Sequence, residues 1–216
     1  MRSPADMQIN HIDITNACPN TCSNCTRFCG HYEKPYFMDF ETFKRAVASY
    51  QGFPGVVAIM GGEPTIHPEF EKFVRYFRDN FDTGGDQESS SFYGPGYEFI
   101  AHLYAIEVFA EPRISLNRRK LFTSAGRTSN YYKHFELIHD SFGSINVNDH
   151  ELPSKHELLM GTRKELGISD AEWPAIRDNC WLQLKWSGTV TPKGAFFCEV
   201  AGAMDMLLDG PGGWPI

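Results

Sequence analysis

Three cysteines, Cys18, Cys22 and Cys25, stand in the run Thr15-Asn16-Ala17-Cys18-Pro19-Asn20-Thr21-Cys22-Ser23-Asn24-Cys25. Three thiolates at C-x3-C-x2-C spacing on one short loop can hold three corners of a cubic iron–sulfur cluster and leave the fourth iron without a protein ligand. An iron with an open position can bind and activate a small molecule, which a cluster closed by four cysteines cannot readily do. Two other chemistries use the same residues. A structural zinc site would take His31 as its fourth ligand. A ferredoxin-like closure would take Cys29, although the first spacing is one residue too long and Gly30 stands where a proline is expected. Cys29 is instead expected to be a free thiol beside the loop, with service to the substrate as a third reading.

A second candidate is Gly61-Gly62-Glu63-Pro64. Two consecutive glycines let the backbone approach a ligand closely. A carboxylate next to them at the end of a strand has no evident packing reason to be there, so Glu63 is expected to be functional.

These residues need elements to position them. Gln8 to Thr15 alternates polar and apolar residues with β-branched side chains and reads as a strand leading directly into the cysteine loop. In that strand His11 is expected to be a hydrogen-bonded core histidine. Asp39 can cap a helix to about Tyr50 that shows Phe40, Phe43 and Val47 on one face. Val56 to Met60 is a short, β-branched apolar run, as in a strand buried on both faces, and Gly61-Gly62-Glu63-Pro64 ends it. Pro68 starts a helix to about Phe81 with a stripe of Phe70, Phe73, Val74 and Phe77. His67 before it is expected only to terminate the loop.

Residues 82–97 read as a long surface loop and Glu98–Ala110 as a helical patch. Together they make an insertion of about 82–112. Lys120–Gly126 reads as a third strand with its glycine exit, Tyr131–Asp140 as a helix and Ser144–Asn148 as a fourth strand. Ser154–Leu166 and Asp170–Asp178 read as helices. Two β-like runs, Leu182–Trp186 and Ala195–Glu199, flank Thr191-Pro192-Lys193-Gly194 as a hairpin. The order predicts an α/β fold, a partial (β/α) barrel of parallel strands plus a short C-terminal β-hairpin. Strand-to-helix loops then gather at the carboxyl edge of the sheet, where the cysteine loop and the Gly-Gly-Glu-Pro turn can face one another.

Composition narrows the setting. The 216 residues, 42% of them hydrophobic, can bury one sizeable core. No stretch approaches the ~20 apolar residues of a membrane span, and the first residues lack the apolar core of a signal peptide. A net charge of −7 without a Lys/Arg block argues against nucleic-acid or acidic-membrane partners. Six cysteines, four of them within residues 18–29, suit metal chemistry in a reducing compartment rather than a disulfide scaffold, which predicts a cytoplasmic protein. The ending, Asp209 to Ile216, reads as loop, so the chain is expected to be short for its type.

Over roughly residues 8–150 the chain resembles the radical S-adenosylmethionine (radical SAM) enzymes. The features that carry the resemblance are the strand ending Ile14-Thr15-Asn16, the Cys18/Cys22/Cys25 loop, and Gly61-Gly62-Glu63-Pro64 after the second strand. Asn24 departs from the pattern, which places an aromatic residue there. The resemblance implies a 4Fe–4S cluster on the three thiolates and SAM chelating its open iron. It further implies that Gly61 and Gly62 bond the SAM ammonium through backbone carbonyls, with Glu63 holding that ammonium or orienting the turn. Ser124 and Asn146, by position, become ribose or carboxylate contacts.

Cys180 and Phe197-Cys198, around Thr189 to Gly194, look like the opening of a SPASM or twitch extension, which implies a possible second iron–sulfur cluster on Cys180 and Cys198. On this reading residues 1–178 are the radical SAM core and 179–216 the extension. The substrate is a peptide or small molecule, and the electron donor is a flavodoxin or ferredoxin. The competing classes are a non-catalytic or electron-transferring iron–sulfur protein on the same scaffold, and a zinc-stabilised binding module.

Overall fold

A computed structural model describes residues 3–23, 25–81, 119–126, 128–148 and 162–216. Strand β1 (Ile9–Thr15) is followed by the cysteine loop, helix α1 (Phe40–Ser49), β2 (Val56–Gly61) and α2 (Phe70–Asn80). Next come β3 (Lys120–Ser124), α3 (Ser129–Lys133), α4 (Phe135–Ser141) and β4 (Ser144–Val147). The remainder holds α5 (Trp173–Asp178), α6 (Trp181–Lys185), β5 (Gly188–Thr191), β6 (Gly194–Phe196) and α7 (Glu199–Leu207). The expected loop over 82–97, the helical patch at Glu98–Ala110 and residues 154–161 of an expected helix lie outside the described residues. Among the described residues no helix is long and apolar enough to cross a membrane.

One six-stranded sheet runs β4-β3-β2-β1-β5-β6. Every pairing is parallel except β5 with β6. Parallel neighbours need long crossovers, and α1, α2 and the α3–α4 pair supply them between the first four strands. The sheet is open, with β4 at one edge and β6 at the other. It is therefore the open form of the barrel expected from the sequence. β1 lies inside it, between β2 and β5, and its carboxyl end carries the cysteine loop.

Strand alternation divides the sheet into two unlike faces. Ile12, Ile14, Val57, Ile59 and Phe122 meet Phe43 of α1 and Phe70, Phe73 and Phe77 of α2 in one apolar core. Phe43 and Phe73 approach with ring centroids 4.4 Å apart. Asp39 caps α1 as expected, its carboxylate accepting from the Thr42 N–H at 2.9 Å. The other face carries His11, Asp13, Thr123, Asn146 and Thr189, which alternate with the core residues. All but Asn146 are buried polar groups.

The C-terminal elements differ from expectation. The run Leu182–Trp186 is not a strand: residues 181–185 form α6. Its alternation misleads because the buried residue is the polar Gln183, 4% exposed. The Lys185 carbonyl at the helix end accepts from the Gln8 N–H at 2.8 Å and so abuts the start of β1. The strands are Gly188–Thr191, which is rich in β-branched residues, and Gly194–Phe196, and Glu199, expected at the end of a strand, instead begins α7. The segment read as one helix over Tyr131–Asp140 is two, divided at His134. Residues 162–167 are turns rather than the end of a helix, and the helix expected over Asp170–Asp178 begins only at Trp173.

His67 does more than end a loop. Its Nε2 lies 3.0 Å from the Met38 carbonyl and its Nδ1 accepts from the Glu69 N–H at 3.1 Å, which specifies the neutral ring protonated at Nε2. Burial lowers its pKa from the ordinary 6.5. His134 is lowered too, by burial and then by Lys133. A histidine lowered on folding gives full stability above its unfolded value and loses it as pH falls through the folded value. Urea midpoints of the protein are therefore expected to drop between pH 7.5 and pH 5.5. The drop should be smaller in His67→Gln, and an equal drop in both would remove His67 from this role.

Candidate functional site

The cysteine loop leaves β1 and is tied back on itself and to its neighbours by backbone groups. Thr15 Oγ1 donates to the Tyr36 carbonyl at 2.6 Å and accepts from the Ala17 N–H at 3.0 Å. Asn16 Oδ1 accepts from the Tyr36 N–H at 2.7 Å, and Met38 N–H donates to the Ile14 carbonyl at 2.8 Å. Residues 16 to 38 thus form a closed excursion from the end of β1. Within it Phe28 is buried in the left-handed region, φ 53°. This conformation is uncommon outside glycine, and it turns the chain so that Cys29 comes back toward Cys18 and Cys25.

The Cys29 thiol is the hydrogen-bond partner of both Cys18 and Cys25. This contact pushes its own ionisation up and draws theirs down. Cys25 falls to about 5, held there by Cys29, by backbone N–H groups and by the Arg27 guanidinium, against the cost of burial. Cys22 moves the other way, raised by burial and by the neighbouring sulfurs. Among the described residues no group of three or more His, Cys, Asp or Glu side chains gathers to hold a single metal ion, whether on Cys18, Cys22 and Cys25 or with His31. A cubane spreads its ligands over separate irons, and a loop of neighbouring thiols, two of them with lowered pKa, is a donor set of the right chemistry for it.

Gly61-Gly62-Glu63-Pro64 meets this loop directly. Gly62 N–H donates to the Thr15 carbonyl at 2.8 Å and Glu63 N–H to the Ala17 carbonyl at 2.7 Å. Gly61 has φ +144°, and a Cβ there would collide with the Thr15 carbonyl oxygen. A Cβ on Gly62 would collide with the Ala17 carbonyl oxygen. The glycines are thus required for two backbones to touch. Pro64 then opens a 3-10 turn, Pro64–Ile66.

Glu63 has the packing reason that its sequence position did not suggest. It is 0% exposed. Oε1 accepts from the Thr65 N–H at 3.1 Å and from the Thr65 hydroxyl. Oε2 accepts from the Ala125 N–H and faces the Ser124 hydroxyl, both at 2.7 Å. The carboxylate therefore joins the turn after β2 to the turn after β3. Ser124, buried at the end of β3, is engaged with Glu63 and with the Gly126 backbone. Asn146 lies beside Thr123 on the second face of the sheet, and its buried Oδ1 has no hydrogen-bond partner among the described residues. Cys180 is exposed and Cys198 partly buried, its thiol raised chiefly by burial. No third metal-binding side chain joins that pair among the described residues.

A set of groups that sequence reasoning passed over lies beneath the loop. Arg27, two residues after Cys25, is 7% exposed and points under the loop to the polar face of β1. Its Nη2 lies 2.9 Å from Glu199 Oε2, 3.1 Å from His11 Nδ1 and 3.1 Å from Met60 Sδ, and its Nε is 3.5 Å from Asp13 Oδ2. Burial alone would raise Glu199, but Arg27 and His11 overcome it and hold the carboxyl at about 2. The signal was available in β1, where His11 and Asp13 share the face opposite Ile12 and Ile14. Two polar residues on that face require a buried partner.

Glu63→Ala is expected to leave two backbone N–H groups and the Thr65 hydroxyl without their acceptor, lowering stability by about 3 kcal/mol or more. Gly62→Ala forces the turn away from Ala17 at a cost of about 1–3 kcal/mol. Urea unfolding of both variants checks these values, and wild-type midpoints would contradict the geometry.

No family model matches the chain, and no curated protein matches it. Among solved structures it is similar to the selenomethionine form of BtrN in an open conformation, with a TM-score of 0.50 and 13% identity over 89% of this chain and 70% of that one. BtrN in complex with AdoMet and 2-DOIA gives a TM-score of 0.49 and 12% identity, over 90% of this chain and 74% of that one. At this identity the likeness is one of fold alone: the chain shares an open, mostly parallel α/β architecture with BtrN.

Proposed function

We propose that this chain is a radical SAM enzyme that acts on a peptide or small-molecule substrate. Cys18, Cys22 and Cys25 would hold one 4Fe–4S cluster, and SAM would lie between that loop and Gly61-Gly62-Glu63-Pro64. The observation that carries the reading is the direct hydrogen-bonded contact of these two segments, Gly62 to Thr15 and Glu63 to Ala17, at the carboxyl edge of a parallel sheet. The likeness in fold to BtrN supports it.

Held by Cys18, Cys22 and Cys25, a reduced cluster would supply the one-electron chemistry that cleaves the SAM sulfonium to methionine and leads to hydrogen-atom abstraction from the substrate. The electron comes from a low-potential one-electron donor such as a flavodoxin or ferredoxin. The protein's own residues position and insulate. Gly61 and Gly62 keep the turn close to the loop, with their carbonyls as acceptors for the SAM ammonium. Glu63 and Ser124 brace that turn from behind, so Glu63 takes the orienting role rather than direct contact. The unpartnered Oδ1 of Asn146 is an acceptor for a hydroxyl or ammonium of the bound molecule.

Anaerobic reconstitution tests the reading. The purified chain is expected to take up iron and sulfide with broad absorbance near ~400 nm, and reductant plus SAM should yield 5′-deoxyadenosine. Cys22→Ala should abolish iron uptake. A chain that takes up zinc alone would overturn the cluster. A loaded chain that leaves SAM intact would be an electron-transfer protein on this scaffold.

A further inference from the structure

The C-terminal helix touches the cysteine loop at two places far apart in sequence. Glu199, the first residue of α7, meets the Arg27 guanidinium at 2.9 Å. One turn later the Tyr32 hydroxyl donates to the Ala203 carbonyl at 2.7 Å. The helix is seated tightly on the polar face of β5 and β6, where a Cβ on Gly202 would stand 3.0 Å from Thr189 Cγ2 and 3.2 Å from Phe196 Cδ2. Arg27 is therefore gripped between β1, through Asp13, and α7, through Glu199. Breaking one partner of such a buried pair leaves an uncompensated charge.

The composition of this group also matters. One guanidinium faces two buried carboxylates, Asp13 and Glu199, so one carboxylate is in excess of the guanidinium. Arg27 stands two residues after Cys25, so the group adjoins the cysteine loop. In a poorly screened interior a fixed negative charge opposes the arrival of an electron nearby, and charge and hydrogen bonding around an iron–sulfur cluster set its potential.

We propose that Arg27 and Glu199 form a buried charge clamp that seats helix α7 on the cysteine loop and lowers the reduction potential of the cluster held there. This rests on the cluster assignment made above. Arg27 and Glu199 are positioning residues: the clamp fixes where the thiols stand, and its excess carboxylate keeps the cluster strongly reducing, as electron transfer to a sulfonium requires.

The test compares the reconstituted parent chain with Glu199→Gln, Glu199→Asp and Tyr32→Phe. Redox titration by electron paramagnetic resonance is expected to show an upward shift in midpoint potential for Glu199→Gln and little shift for Glu199→Asp, which keeps the charge. Iron release to a chelator should be about fivefold faster in Tyr32→Phe, the loss of one hydrogen bond. An unchanged potential in Glu199→Gln overturns the electrostatic role, even if that variant sheds iron faster. Unchanged iron release in Tyr32→Phe overturns the seating of α7. If Glu199→Gln does not fold, Asp13→Asn removes the other carboxylate and must give the same upward shift. If the parent takes up no iron and sulfide, the cluster assignment fails instead. Amide exchange at Arg27–Cys29 in the cluster-free chain then decides the clamp, which falls if Glu199→Gln exchanges no faster than the parent.

Discussion

The candidate site depends on one buried carboxylate. Glu63 has no contact with water, and every acceptor position it offers is directed to the turns after β2 and β3. A carboxylate is tolerated at such depth only when hydrogen-bond donors replace its hydration. Thr65, Ser124 and Ala125 do this from two different crossovers. The same residue donates its backbone N–H to Ala17, so three successive loops of the carboxyl edge are held in register around one side chain. With that edge rigid, the thiols of the first loop and the backbone of the second keep a fixed separation, which is what binding a small molecule between them requires.

The two faces of the sheet divide the labour. One is an aromatic core built by α1 and α2, dense with phenylalanine, and it provides the stability. The other is polar and buried, lined by His11, Asp13 and Thr189 and partly roofed by α7. A polar buried face contributes little to folding. Its value is to hold Arg27, and through it the cysteine loop, against a surface that an apolar side chain could not grip in one orientation.

The legible parts of the sequence were those governed by local chemistry. Asp39 before an apolar stripe marked α1, and the short β-branched run at Val56 marked β2. The three cysteines and the two glycines pointed to the same sheet edge because each followed a strand. What was not legible depended on distant partners. Leu182–Trp186 alternates as a strand does, yet tertiary packing buries Gln183 and makes the segment helical. The four groups that hydrogen-bond the Glu63 carboxylate come from residues 65, 124 and 125, so its packing role could not be read from its neighbours in sequence. The Arg27 group needs residues 13, 27 and 199, and no window of sequence contains all three.

The position of β1 between β2 and β5 has a consequence for the order of events during synthesis. Asn10 pairs with Gly188, and Arg27 with Glu199, so the strand that bears the cysteine loop lacks one of its neighbours until almost the whole of this sequence has left the ribosome. Such long-range pairings form late because the intervening chain must first be closed. The thiols are made early but gain their final support last. Maturation of the loop is thus coupled to completion of residues 188–207, and a nascent chain released before them would carry its cysteines on an unsupported edge.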